Sequence, residues 1–244
     1  MFKLLGALLL ICSGFVCSAA AQAQDEPLTD LSLKYLAAIN ADAPDRPLVI
    51  FIHGFGSSEQ DLFGLKDRLS PDYNYLSVRA PMELRPGSYK WFTQKTGVPG
   101  YDGVTDDLKS SGALLTRFIR EATGKYRTQP QKVYLIGFSQ GAMMSYEVAL
   151  RDPKLVGGFA ALSGRLLPVL ESGLKDDRRL AGLKVFIGHG AEDHQVAYSG
   201  GPEAESTLKK LGLQPEFHGY EGLEHSINAA EVADLARWLD QSLK

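Results

Sequence analysis

The stretch Val133-Tyr134-Leu135-Ile136-Gly137-Phe138-Ser139-Gln140-Gly141-Ala142-Met143 decides how the rest of the chain is read. Val133 to Ile136 is a short apolar run of the kind that forms a strand covered on both faces. It leads straight into G-x-S-x-G, and the residues after Gly141 suit a helix. A serine between two glycines on a sharp strand-to-helix turn is held exposed at the sheet edge, where flanking side chains would collide with the neighbouring strand and helix. The helix behind it points its N-terminus at any negative charge that develops there. Taken alone the pattern is short and also describes a tight turn without chemistry, so its context carries the weight.

Working outward, similar short runs recur at Leu48 to Ile52, Tyr73 to Val78, Gly158 to Leu162, Val185 to Ile187 and, more weakly, Glu216 to Tyr220. Helical patterns lie between them. Val104, Leu108, Leu115, Ile119 and Ala122 form one apolar stripe, and Pro202 and Gly212 bracket a second helix. Asn228 followed by Glu231 starts a third, with Val232, Leu235, Leu239 and Leu243 on one face. Strands alternating with helices predict an α/β fold, a mostly parallel central sheet with helices on both faces. An N-terminal edge strand is expected from about Leu31 to Ile39. The absence of repeats or a second linker predicts a single domain over residues 24–244.

The 244 residues are 44% hydrophobic and 23% charged, with a formal net charge of −3, values that exclude disorder, collagen and coiled coil. So even a balance gives no electrostatic reason to expect nucleic acid or an anionic membrane as partner. Residues 1–23 read as a secretory signal peptide: Lys3 gives a positive start, Leu4 to Val16 is apolar, and Ala19-Ala20-Ala21 and Ala21-Gln22-Ala23 offer small-x-small cleavage patterns. About thirteen apolar residues fall short of the roughly 20 needed to span a bilayer. Export to a periplasmic or extracellular space follows as the expectation. Cys12 and Cys17 lie in this leader, so the mature chain has no disulfide, cysteine nucleophile or thiolate metal site.

A serine nucleophile on such a turn needs an acid and a base in the chain order Ser, Asp/Glu, His. The loop after Val185 to Gly188 offers Glu192 and Asp193, of which Asp193 is preferred. Among five histidines, His225 alone falls in a loop after the last strand and before the last helix, where the base belongs; His218 lies inside a strand. Ser139, His225 and Asp193 are therefore the candidate catalytic set. The turn His53-Gly54-Phe55-Gly56 follows the Leu48–Ile52 strand, and the backbone N–H groups of Phe55 and Gln140 are the candidate oxyanion donors. The His53 side chain reads as structural. The same residue types suggest a metal site of His189, Asp193 and His194, but adjacent Asp193 and His194 rarely point the same way and no second arm exists, so no metal or other cofactor is expected.

With those residues in place, HGFGSS (His53 to Ser58), GFSQGAM (Gly137 to Met143), ALSG (Ala161 to Gly164), GHGAEDHQV (Gly188 to Val196) and the closing His225 resemble the phospholipase/carboxylesterase group of α/β-hydrolases, which includes acyl-protein thioesterases. Arg79-Ala80-Pro81 and Trp91-Phe92 fit the same pattern, and the resemblance runs in order over roughly residues 45 to 244. It implies the α/β-hydrolase fold, the triad Ser139, Asp193 and His225, and the Phe55 and Gln140 donors. The chain departs from the family at Ser57, Thr93 and Ala197, where Asp, Asp and Pro are usual, and at Ala142, where a second Gly is usual. None of these removes a catalytic group. An exported chain would not meet the lipidated cytosolic clients of the thioesterases, so the substrate expected is a small-molecule ester or thioester of a small to medium acyl chain.

Tyr89, Trp91, Phe92, Leu166, Leu167, Val169 and Leu170 are candidates to line an acyl groove, with core packing as the plainer reading of each. Trp91, Phe92 and Leu166 are the substrate contacts retained. Gly173 to Gly182 is expected to be an exposed loop, and no segment is large enough for the lid of an interfacial lipase. Two other functions compete with the esterase: a silent hydrolase-like binding protein, and a peptidase on the same triad.

Overall fold

The computed structural model of the protein describes residues 26–39, 43–98, 101–174 and 178–244. The expected leader, residues 1–23, lies outside them. Seven strands form one sheet: β1 (Tyr35–Ala38), β2 (Leu48–Ile52), β3 (Asn74–Val78), then, beyond the hairpin of β4 (Met82–Arg85) and β5 (Ser88–Lys90), β6 (Val133–Phe138), β7 (Gly158–Leu162), β8 (Lys184–Gly190) and β9 (Glu216–Tyr220). Their order is β1-β3-β2-β6-β7-β8-β9, every pairing parallel except β1 on β3. Helices α1 (Thr105–Lys125), α2 (Gln140–Arg151), α3 (Pro168–Glu171), α4 (Gly200–Lys210) and α5 (Ala229–Ser242) connect and follow the strands.

The continuous apolar runs are central strands because both their faces are covered. One face of the sheet packs Ile50, Leu135, Phe159 and Ile187 into a core shared with Phe118 of α1 and Met143 of α2. The other packs Phe51, Ile136, Ala160 and Phe186 against Leu235, Trp238 and Leu239 of α5. Asn228 caps α5 as its spacing to Glu231 implies, its side-chain oxygen accepting the Glu231 N–H at 2.9 Å.

Three expectations are corrected. The edge strand predicted over Leu31 to Ile39 runs only from Tyr35 to Ala38. Ser32 is drawn off the sheet because its N–H donates to the Glu121 carboxylate at 2.7 Å. Strand β8 continues through His189 and Gly190, which the glycines had suggested were loop. Inside the expected loop from Gly173 to Gly182, Arg178–Gly182 forms a 3-10 turn, while residues 175–177 lie outside the described residues. The β4–β5 hairpin had no signal in the sequence strong enough to be read, for its strands are only four and three residues long and β4 is largely exposed.

Candidate active site

The turn between β6 and α2 is as tight as the sequence demands. A Cβ on Gly137 would overlap the Gly141 carbonyl, and one on Gly141 would overlap the Ile52 carbonyl at the end of β2. Between them Ser139 takes φ 55° and ψ −117°, a backbone region that a side-chain-bearing residue holds only when its surroundings enforce it. The Ser139 N–H donates to Leu162 O at 2.9 Å, tying the turn to the end of β7. Ser139 is 9% exposed, shielded yet reachable.

The structure brings together the three side chains predicted as a set. His225 Nε2 lies 3.0 Å from Ser139 Oγ, and its Nδ1 lies 2.7 Å from Asp193 Oδ2. With Nδ1–H donating to the carboxylate, Nε2 is bare and accepts from the serine hydroxyl. Asp193 Oδ1 accepts the backbone N–H groups of Gln195 and Val196, each at 2.9 Å, which fixes the carboxylate. His194 is exposed while Asp193 is buried, so the two point apart. His218 lies on β9, where it bonds Glu216 at 2.7 Å and stacks on Phe186.

Two further imidazoles support this arrangement, and their bonding partners were not foreseen. His189 Nε2 lies 2.9 Å from Val196 O and 3.3 Å from Asp193 Oδ2; facing two acceptors, it carries the proton. Burial holds His189 below the usual histidine range, which keeps it neutral. The i,i+4 spacing of His189 and Asp193 was the available signal. His53 is fully buried: its Nε2 accepts the Ala80 N–H at 3.1 Å, so Nδ1 carries the proton and donates to Gly54 O at 2.7 Å. Burial lowers the affinity of His53 for a second proton too. Gly54 O and Phe55 N–H belong to one planar peptide and point in opposite directions, so this bond sets where the Phe55 N–H aims. Gln140 N–H, first in α2, has no intrahelical acceptor. The Phe55 side chain itself is 55% exposed.

Trp91 and Phe92 do not line a groove. Both are 0% exposed, because Trp91 Nε1 donates to His53 O at 2.9 Å and Phe92 packs edge-on against Tyr101. The Gln140 side chain locks them to α2, accepting Trp91 N–H at 3.1 Å and donating to Phe92 O at 3.0 Å. Leu166 is likewise buried in the core, with Leu167 and Leu170. These side chains hold the site in shape, and the expectation that they contact substrate is withdrawn. Open space adjoins His225 instead, in a groove of about 430 Å³ whose lining includes Leu65, Phe138 and Ile227.

Among the described residues no group of three His, Cys, Asp or Glu side chains could hold a metal ion, and no helix is long and apolar enough to cross a membrane.

Comparison with known proteins bears on the family and the fold. Residues 33–243 match the family model described as Phospholipase/Carboxylesterase. The chain is 32% identical over 222 residues to acyl-protein thioesterase 1 of Debaryomyces hansenii, covering 82% of this chain and 93% of that one. It is 27% identical over 215 residues to carboxylesterase SOBER1 of Arabidopsis thaliana, covering 82% and 92%. Among solved structures, esterase PE8 superposes with a TM-score of 0.74 at 26% identity over 88% of this chain and all of its own. The Bacillus cereus carboxylesterase reaches the same TM-score at 22% identity over 86% and 94%, a likeness of fold.

Proposed function

Because the chain belongs to the phospholipase/carboxylesterase family of α/β-hydrolases, we propose that it hydrolyses carboxylic esters or thioesters of small to medium acyl chains through an acyl-enzyme on Ser139. His225 Nε2 takes the Ser139 proton as the hydroxyl oxygen attacks the substrate carbonyl carbon. Asp193 keeps the imidazole in the required tautomer and stabilises the imidazolium. The oxyanion is met by the N–H groups of Phe55 and Gln140 at the N-terminus of α2, an electrostatic contribution of about 3–4 kcal/mol per donor in comparable sites. The imidazolium then protonates the departing oxygen or sulfur, and a water deprotonated by His225 releases the acid from Ser139.

The observation that carries this reading is the unbroken hydrogen-bonded line from Ser139 Oγ through His225 to Asp193, with the serine in strained backbone. That the family consists of ester hydrolases supports the reaction class, and the thioesterase name among the relatives supports including thioesters. Export with removal of residues 1–23 is part of the same proposal, and the mass of the protein recovered from cells tests it: an intact Met1 overturns it. Purified protein incubated with p-nitrophenyl acetate and butyrate tests the activity. A burst of nitrophenol followed by steady turnover is expected, whereas a silent binding protein gives neither.

A further inference from the structure

The groove beside His225 is open and chemically one-sided. Leu65, Phe138 and Ile227 give it apolar walls, and the Phe138 ring lies 4.9 Å from the imidazole. Asp61 is the one acidic side chain in its lining, and it is exposed. Of the charges around it, Glu224 next to His225 is also exposed, and Lys66 is bonded to Asp67 at 2.8 Å while lying over the Phe63 ring. Gly64 lines the groove too, and a Cβ built on it meets nothing within 4 Å.

We propose that this groove is the leaving-group subsite, taking an uncharged, hydrocarbon-rich alcohol or thiol and disfavouring anionic ones. The inference rests on the acyl-transfer reading above. When the tetrahedral intermediate collapses, the bond from the carbonyl carbon to the leaving oxygen breaks and its electron pair goes to that oxygen. The oxygen takes the proton from His225 Nε2, the oxyanion pair re-forms the carbonyl, and the acyl group stays on Ser139. A leaving atom must therefore sit within hydrogen-bond reach of Nε2. The groove that His225 borders offers room for what is attached to it, whereas the Trp91 and Phe92 side chains are fully buried and offer none. A groove of about 430 Å³ is in the size range of small-molecule pockets, roughly 300–1,000 Å³. Apolar walls favour a hydrocarbon body. An anion bound there faces Asp61, and at partly solvated distances that repulsion amounts to roughly three- to tenfold in affinity.

The test separates the two sides of the ester. Methyl butyrate, benzyl butyrate and 4-carboxybenzyl butyrate vary the alcohol, and methyl octanoate varies the acyl chain. With the wild-type protein, kcat/KM for benzyl butyrate should exceed that for the carboxybenzyl ester by roughly three- to tenfold, and Asp61→Asn should narrow that ratio. Gly64→Trp, with its fold checked by circular dichroism, should lower the benzyl-to-methyl ratio by about tenfold or more, one interaction step of the size a filled pocket produces. It should leave the octanoate-to-butyrate ratio of the methyl esters in place. If Gly64→Trp shifts the acyl-chain ratio instead, or if neither variant moves the alcohol ratios, the leaving-group assignment is overturned while the esterase reading stands. A wild-type protein that turns over none of the four esters overturns the esterase reading itself.

Discussion

His53 Nδ1 lies 2.7 Å from the carbonyl oxygen of Gly54, the other end of the peptide whose N–H is the proposed oxyanion donor of Phe55. Its second nitrogen accepts from Ala80 N–H 27 residues away, joining the loop after β2 to the loop after β3. One buried ring thus aims a donor with one atom and holds two loops together with the other.

The two jobs are separable. Asn at 53 places an amide N–H near the Nδ1 position, and Gln places a carbonyl near Nε2. His53→Asn should retain most of kcat while losing thermal stability, and His53→Gln should keep more of the stability yet lose about tenfold or more in kcat, a part of what an oxyanion donor supplies. Inhibition by a trifluoromethyl ketone, which loads the oxyanion hole, should weaken in step with kcat. Equal inhibitor affinity in wild type and His53→Gln would mean that the imidazole does not orient the donor.

Gly141 is the most intolerant position of the turn. Its added methyl would overlap the backbone carbonyls of Ile52 and His53, and neither can move without breaking into β2 and the loop beyond it. Gly141→Ala should cost about 3 kcal/mol or more, the upper end for overpacking, and lower Tm by roughly 6–12 °C for a chain of this size. Gly64→Ala, facing open space, is the control and should lie within about 0.5 kcal/mol of wild type. Comparable melting of the two variants would contradict the close approach.

Glu231 makes the protein lose stability as pH rises from mildly acidic to about 8. It is fully buried, neither carboxyl oxygen has a hydrogen-bond partner among the described residues, and burial pushes its pKa up to about 8 from the ordinary 4.5. Below pH 4.5 the carboxyl is protonated in both the folded and unfolded states. Between there and pH 8 the unfolded chain gives up the proton and the folded one keeps it, so stability falls as pH rises, by up to about 1.4 kcal/mol per unit. Urea unfolding at pH 5 and pH 8 should show Glu231→Gln gaining a few kcal/mol over wild type between the two. Parallel curves would show that the carboxyl finds compensation the geometry does not reveal.

The three proposed catalytic side chains should fail as a unit. Ser139→Ala and His225→Ala should each lose about a thousandfold or more in kcat, and the double variant little further. Asp193→Asn should be severe, through loss of the tautomer. His218→Ala, on β9 and bonded to Glu216, should remain active, so a folded but inactive His218→Ala beside an active His225→Ala would reassign the base.

The parts of the fold that were legible in the sequence are those where a single physical demand fixes the pattern. Strands buried on both faces must be apolar throughout, so β2, β6 and β7 announced themselves, and the glycines at 137 and 141 are required by backbone contact alone. The Ser, Asp, His order picked out Ser139, Asp193 and His225, which the fold brings together because the loop after each strand of a parallel sheet opens at the same edge. What could not be read depends on contacts between distant segments. Trp91 and Phe92 look like pocket linings by residue type, and only the Gln140 side chain and His53 carbonyl that bind them reveal a buried post. Ser32, held by a carboxylate 89 residues away, lies ahead of β1, which starts only at Tyr35. His53 and His189 carry no local mark of which nitrogen holds the proton, for that is set by Ala80 and Val196.

The central claim is that acyl transfer runs through Ser139. Quenching a reaction with p-nitrophenyl butyrate during the burst, then digesting and mapping the protein by mass spectrometry, tests it at a single atom. A butyryl group on the peptide containing Ser139, absent from Ser139→Ala, is the predicted result. Turnover by Ser139→Ala at the wild-type rate, or a butyryl group found only on another residue, would contradict the account.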